Sequence, residues 1–186
     1  YPLAASPTHT LPQPVPPPFI GFAGAPFPLA AYLVEGGPSK NHVKTKALMH
    51  GDPQLWAALC ARLAQISGAY LRVQAEAGAS VVQLFDSWVG ALSRADYLEH
   101  VQRHSAAALA AVADLDVPRI HFGVGTGELL DLMGEAGAEG VGVRYRVALT
   151  EAARPLGPQF APKGNHDPPP PSAPGRGPAR RRSGRV

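Results

Sequence analysis

Short, almost wholly apolar runs alternate along this chain with longer stretches whose apolar residues recur every three or four positions. The first run, FIGFAGA at 19–25, predicts a strand that ends in small residues before Pro26. A helix over 29–34 follows, stopped by Gly36, Gly37 and Pro38. Asp52-Pro53 pairs a capping side chain with proline at the first helical position. Leu55, Trp56, Leu59, Leu63, Ile66 and Tyr70 then keep helical spacing until Gly78. VVQLF at 81–85 predicts a second strand. Ser93 with Asp96 makes a capping box ahead of a stripe of Leu98, Val101, Leu109 and Val112. RIHFGV at 119–124 is a third strand, with Thr126 placed to cap a helix through Met133, and VGVRY at 141–145 is a fourth. A fainter fifth unit has a short helix near 150–154 and a strand near Phe160.

Strands without polar alternation, separated by helices, predict a parallel sheet covered on both faces. An open doubly wound sheet and a closed eightfold barrel both satisfy that order. A barrel takes about 250 residues. With four or five β/α units, the 186-residue chain would be a partial barrel, whereas an open sheet would be complete. In either closure ligands bind beyond the carboxyl ends of the strands. The glycines, aromatic and polar residues gather there: Gly24 to Tyr32, Asp86-Ser87-Trp88, Gly123 to Thr126, Arg144-Tyr145 and Asn165.

Composition divides the chain into three. Seven of its 21 prolines fall in residues 1–18 and six in 168–186, so both ends are expected to be disordered, around a folded 19–167. The last segment also carries five arginines and no acid, leaving residues 1–167 slightly acidic. The basic balance therefore belongs to the tail and gives no ground for a nucleic-acid-binding domain. A single cysteine, Cys60, excludes a disulfide framework and a cysteine-rich zinc site, and suits a reducing cytosol. No apolar run approaches the roughly 20 residues of a membrane helix, and no signal peptide is apparent. A start at Tyr1 rather than Met suggests that the chain begins within a longer one.

Several candidates carry chemistry. Gly123-Val-Gly125-Thr-Gly127 has the look of a nucleotide turn, and an S-adenosylmethionine-dependent methyltransferase would use one. Glu128 breaks the dinucleotide fingerprint, however, and no acid follows at the distance that would hold a ribose. A tight turn that lets a helix pack on its strand is the favoured reading. His100 and His104 stand four apart, yet without a third ligand they are read as a solvated helix face, and no metal is expected. Asp86 could serve acid–base chemistry or organise its own loop. Ser87 lacks the flanking glycines of a hydrolase nucleophile. Tyr32 offers an apolar ring and a donor hydroxyl, either packed or facing a ligand.

FIGFAGAPF at 19–27, AYLVEGGPSKNH at 31–42, QLFDSWVGALS at 83–93 and HFGVGTGELL at 121–130 together resemble the uroporphyrinogen decarboxylase family in its bacterial form. The likeness runs from about residue 19 to 142 and fades through 143–168. It implies a cytoplasmic enzyme with a TIM-type (β/α)8 barrel, usually a homodimer. It also implies removal of carboxyl groups from the four acetate arms of uroporphyrinogen III, giving coproporphyrinogen III on the route to haem. No metal or organic cofactor is implied. A protonated pyrrole ring accepts the electrons released with carbon dioxide, a carboxylate near the pyrrole nitrogens stabilises that cation, and arginines hold the peripheral carboxylates. By correspondence of motifs, Tyr32 and Ser87 would contact substrate and Phe22 would wall the apolar pocket.

The departures bear on activity. The family's early arginine-bearing segment, its early catalytic aspartate and its late histidine segment have no counterpart here. The catalytic residue is therefore expected upstream of residue 1, and Asp86 is not that group. Arg144 stands where the family usually has an acid, and Gly164-Asn165-His166-Asp167-Pro168 replaces GNLDP. Proline, glycine, alanine and arginine share GC-rich codons, so frame-shifted ends are expected, on a chain inactive by itself and prone to aggregate through exposed edges. A corrinoid-linked methyltransferase on the same barrel is a second reading, disfavoured because Cys60 falls in mid-helix. A non-catalytic fragment that binds a full-length subunit is a third.

Overall fold

The computed structural model describes residues 18–143 and 160–164. Its elements are β1 (Ile20–Gly24), α1 (Pro26–Glu35), α2 (Val43–Gly51), α3 (Pro53–Glu76), β2 (Val81–Asp86), a 3-10 turn (Val89–Ala91), α4 (Arg94–His100), α5 (Gln102–Ala110), β3 (Arg119–Gly123), α6 (Leu130–Glu135), β4 (Gly140–Val143) and β5 (Ala161–Gly164). The expected helix near 150–154, residues 144–145 of the fourth strand, and both proline-rich ends lie outside the described residues.

The five strands are parallel and stand in chain order, β1-β2-β3-β4-β5, with no reversal. Register sets Gly24 beside Phe85, Asp86 beside Gly123 and Val143 beside Gly164, so the carboxyl ends form one rim. Ala23, Val82, Leu84, His121, Val141 and Val143 are buried on one face of this sheet. They join Leu71, Ala75, Ala108, Leu109 and Met133 from the helices. The alternate residues Ile20, Phe22, Phe85 and Phe122 occupy the other face, where Phe22 is 55% exposed. The described helices thus cover one face of the sheet, not both as the sequence predicts. The apolar runs nonetheless have a common cause, because the second face is apolar too.

Several helices differ from expectation. Helix α1 opens at Pro26 rather than at residue 29, since a proline at the first position needs no partner for its nitrogen. Helix α3 starts as predicted, with Asp52 Oδ1 accepting from the Leu55 amide at 3.0 Å. Its buried stripe, however, is Trp56, Cys60, Leu63, Ser67 and Leu71, eked out by Ala64, Gly68 and Ala75. Leu55, Ile66 and Tyr70, assigned to that stripe from spacing, are exposed. Small residues win the interface because α5 approaches closely: a Cβ on Gly68 would stand 2.7 Å from that of Ala111.

The stretch 93–112 is two helices, not one. Ser93 caps the first, its Oγ accepting from the Asp96 amide at 3.1 Å, and the break falls at Val101 (φ −126°, ψ −48°). Thr126 does not cap the following helix, which begins at Leu130; its carbonyl instead accepts from Leu129 in a turn. Helix α2 goes unpredicted because only Thr45 and Met49 of its nine residues are buried, leaving no stripe to read.

Candidate functional site

The rim at the carboxyl ends is built by three turns. After β1, α1 begins at once and carries Tyr32 outward, 47% exposed. After β2, Ser87 and Trp88 form a turn, half-buried, that leads into the 3-10 segment. After β3 comes the glycine turn, with Gly125 at φ +72°. Gly90 fits against that turn backbone to backbone, for its Cβ would overlap the Val124 carbonyl and lie 2.6 Å from that of Gly125. The helix N-terminus comes five residues after Gly125, at Leu130, so the turn does not present a helix end to a phosphate. The tight-turn reading accounts for Gly125 and for Gly123, where a Cβ would stand 2.5 Å from Thr126 Cγ2, but not for Gly127, which has open space around it.

The predicted contact residues come together on this rim. The Tyr32 ring packs on that of Trp88, the residue after Ser87, with centroids 4.5 Å apart and the planes tilted by 41°. Trp88 in turn leans on His42 at 5.1 Å, and His42 on Phe27 at 5.8 Å. An aromatic run therefore ties the rim to the core. His42 is buried in the left-handed region (φ 50°), and burial holds its pKa below the ordinary histidine value. Below the rim, Phe22, Phe85 and Phe122 interlock edge to face across three strands, with centroids 5.8 and 5.4 Å apart. Such pairs favour a rigid apolar floor. Among the described residues no hydrogen bond holds the hydroxyls of Tyr32 or Ser87, so both stay available to a ligand. A cleft of about 200 Å³ at the opposite, amino ends of the strands is lined by Val81, Pro118, Ile120 and Ala161.

Asp86 turns the other way. It is fully buried among the helices, where Ser105 Oγ donates to Oδ2 at 3.2 Å and His121 Nε2 lies 3.2 Å from the same oxygen. His121 Nδ1 meets the Met133 carbonyl at 3.1 Å; a carbonyl only accepts, so this nitrogen carries a hydrogen. Asp86 thus organises no loop of its own, as the sequence reading allowed, but ties β2 to β3 and α5. His121 was not singled out by sequence, because a histidine inside a strand run carries no spacing signal.

Three further expectations meet the geometry. His100 and His104 are not a solvated face, for both are buried, and the Val101 break puts them on different helices. Arg103 Nε donates to His104 Nε2 at 3.2 Å, and burial pulls its pKa down to about 4. Cys60 is buried in α3, with its thiol pushed up to about 12 by burial, so it is neither ligand nor nucleophile at neutral pH. Arg144 and Asn165 lie outside the described residues.

Among solved structures, a methyltransferase from Methanosarcina mazei shares the fold. Its TM-score is 0.69 at 17% identity, over 79% of this chain and 42% of that one. At that identity the likeness concerns architecture alone. The uroporphyrinogen decarboxylase of Streptomyces griseus is 70% identical over 151 residues, covering 81% of this chain and 41% of that relative. The enzyme of Salinispora tropica is 66% identical over the same length. The chain spans about two fifths of the length of the curated relatives it matches. The family model for uroporphyrinogen decarboxylase (URO-D) matches residues 9–173, nearly the whole chain. On a rim that assembles the aromatic and hydroxyl groups of its four motifs, that match makes the chain a member of the uroporphyrinogen decarboxylase family.

Proposed function

We propose that residues 19–167 form part of a (β/α)8 barrel that removes the acetate carboxyl groups of uroporphyrinogen III, and that they supply one wall of its pocket. The observation that carries this is the rim, where Tyr32 and Ser87 stand above the interlocked Phe22, Phe85 and Phe122 in a chain of this family. The unreversed strand order and the one-sided helix cover support a barrel over a doubly wound sheet, which would need a reversal. The exposed phenylalanine face then becomes the inner surface of the barrel.

In this reading the macrocycle lies against the three phenylalanine rings, and the Tyr32 and Ser87 hydroxyls donate to its peripheral carboxylates. Each decarboxylation breaks a carbon–carboxylate bond, releases carbon dioxide and puts a proton in its place. The bonding electrons enter a pyrrole ring that has first been protonated. Asp86 is not the carboxylate facing that cation, since it is engaged with His121 on the helix side. The assembled enzyme is a cytoplasmic homodimer.

Titration with uroporphyrin, the fluorescent oxidised form of the octa-acid, tests the wall directly. Saturable quenching is expected, weakened about tenfold by Tyr32→Phe or Ser87→Ala, the loss of one charge-assisted hydrogen bond. Quenching that both variants leave unchanged would remove these two residues from the pocket.

A further inference from the structure

Three side chains with no part in the rim converge where α2 ends against α4. His50 lies in the last turn of α2, while Asp96 and His100, four apart, share one face of α4. One ligand atom from each lies within 4.8 Å of the others. His50 Nε2 is 3.4 Å from Asp96 Oδ1, and the two imidazoles stand perpendicular with centroids 5.4 Å apart. Among the described residues neither ring is committed to a hydrogen bond. Glu99 Oε1 adds a carboxylate 3.8 Å from His100 Nε2.

The backbone beneath these groups is fixed. Ser93 Oγ accepts from the Asp96 amide, and the buried Trp56 indole donates to the His100 carbonyl at 3.0 Å. His104, which helical spacing would pair with His100, is engaged by Arg103 instead.

We infer that His50, Asp96 and His100 form a binding site for a single divalent first-row cation of the zinc type. Two imidazoles and one carboxylate are the borderline donors such ions take, and three protein ligands leave a position for water. A tetrahedral zinc ion holds its ligand atoms about 3.3 Å apart. His50 and Asp96 already meet that spacing. The His50 side chain, 54% exposed, is free to turn and close the remaining gap. The bound ion ties α2 to α4. Lys46 already links α2 to the segment after Trp88, with Nζ donating to the Ala91 carbonyl at 2.7 Å. The site therefore braces the support of the rim without entering it.

Zinc alone is the probe, added to the metal-stripped 186-residue chain near neutral pH in competition with a chromogenic chelator. Cobalt serves as a spectroscopic stand-in. The expected result is one equivalent bound, with the visible bands of a tetrahedral cobalt site. Affinity should fall at least tenfold in His50→Ala, a surface change that spares the fold, and in His100→Gln. His104→Gln should bind as the parent does. Absence of saturable binding, or one-equivalent binding that survives His50→Ala unchanged, would overturn the site. The histidine–aspartate contact would then be an ion pair only.

Discussion

A carboxylate that looks available in sequence and proves to be buried shows how strongly side-chain direction governs role. Asp86 and Ser87 are neighbours, yet Asp86 ends β2 on the face that the helices cover, while Ser87 opens the turn that follows. Removing one partner of a buried pair leaves the other unpaired, at a cost of about 3–5 kcal/mol. Denaturant unfolding should show a loss of that order for Asp86→Ala, with more than half restored in Asp86→Asn, whose amide can donate to His121 Nε2. Equal losses in the two variants would mean that volume, not pairing, holds the site. The buried histidines add a pH dependence of definite sign. His104 and His42 are both held below the ordinary value of 6.5, His104 down to about 4. The unfolded chain takes up these protons first, so stability is full above 6.5 and declines as the pH falls toward 4. His104→Gln should remove on the order of 2 kcal/mol of that decline, seen in unfolding curves at successive pH values.

At the scale of elements, the turns carry most of the precision. The turn after β2 meets the glycine turn after β3 with no side chain between them at Gly90. Gly90→Ala forces two backbones apart and should cost about 3 kcal/mol, at the upper end of overpacking. Gly127→Ala, with open space around the added methyl, should cost well under 1 kcal/mol by the same measurement. Comparable costs would show that the two turns are not packed as described. These contrasts also explain what the sequence could disclose. The strands and the starts of α3 and α4 were legible because caps and apolar runs are local signals. The buried face of α3 was legible only in part: Trp56 and Leu63 keep the spacing, but Ala64, Ser67, Gly68 and Ala75, which a hydrophobic pattern passes over, complete it. The break at Val101 was equally hidden, since the stripe continues through it while the backbone does not. The site was legible as a rim, and Tyr32, Ser87 and Phe22 as members of family motifs. His50 beside His100 was not, for the two are fifty residues apart and meet only through the packing of α2 on α4.

At the scale of the whole molecule, the sheet has one face packed and one open. Ile20 and Phe22 are about half exposed on the open face, beside Phe85 and Phe122. Gln74 closes part of the free edge of β1, its Nε2 donating to the Phe22 carbonyl and its Oε1 accepting from the Phe22 amide, both at 2.9 Å. Lys163 crosses the open face to donate to Gln83 Oε1 at 2.6 Å. An apolar surface of this kind is what the inside of a closed barrel requires. The family relatives are about twice as long as this chain. In the proposed function this segment forms a competent pocket wall in such an enzyme. The direct measurement is decarboxylation of uroporphyrinogen, under exclusion of oxygen, by the Streptomyces griseus enzyme with its matching segment replaced by residues 19–143 of this chain. The expected kcat/KM is within about tenfold of the parent enzyme, with a loss of about a further tenfold or more when Ser87→Ala or Tyr32→Phe is added. A folded exchange enzyme without activity, or one indifferent to both substitutions, would contradict it.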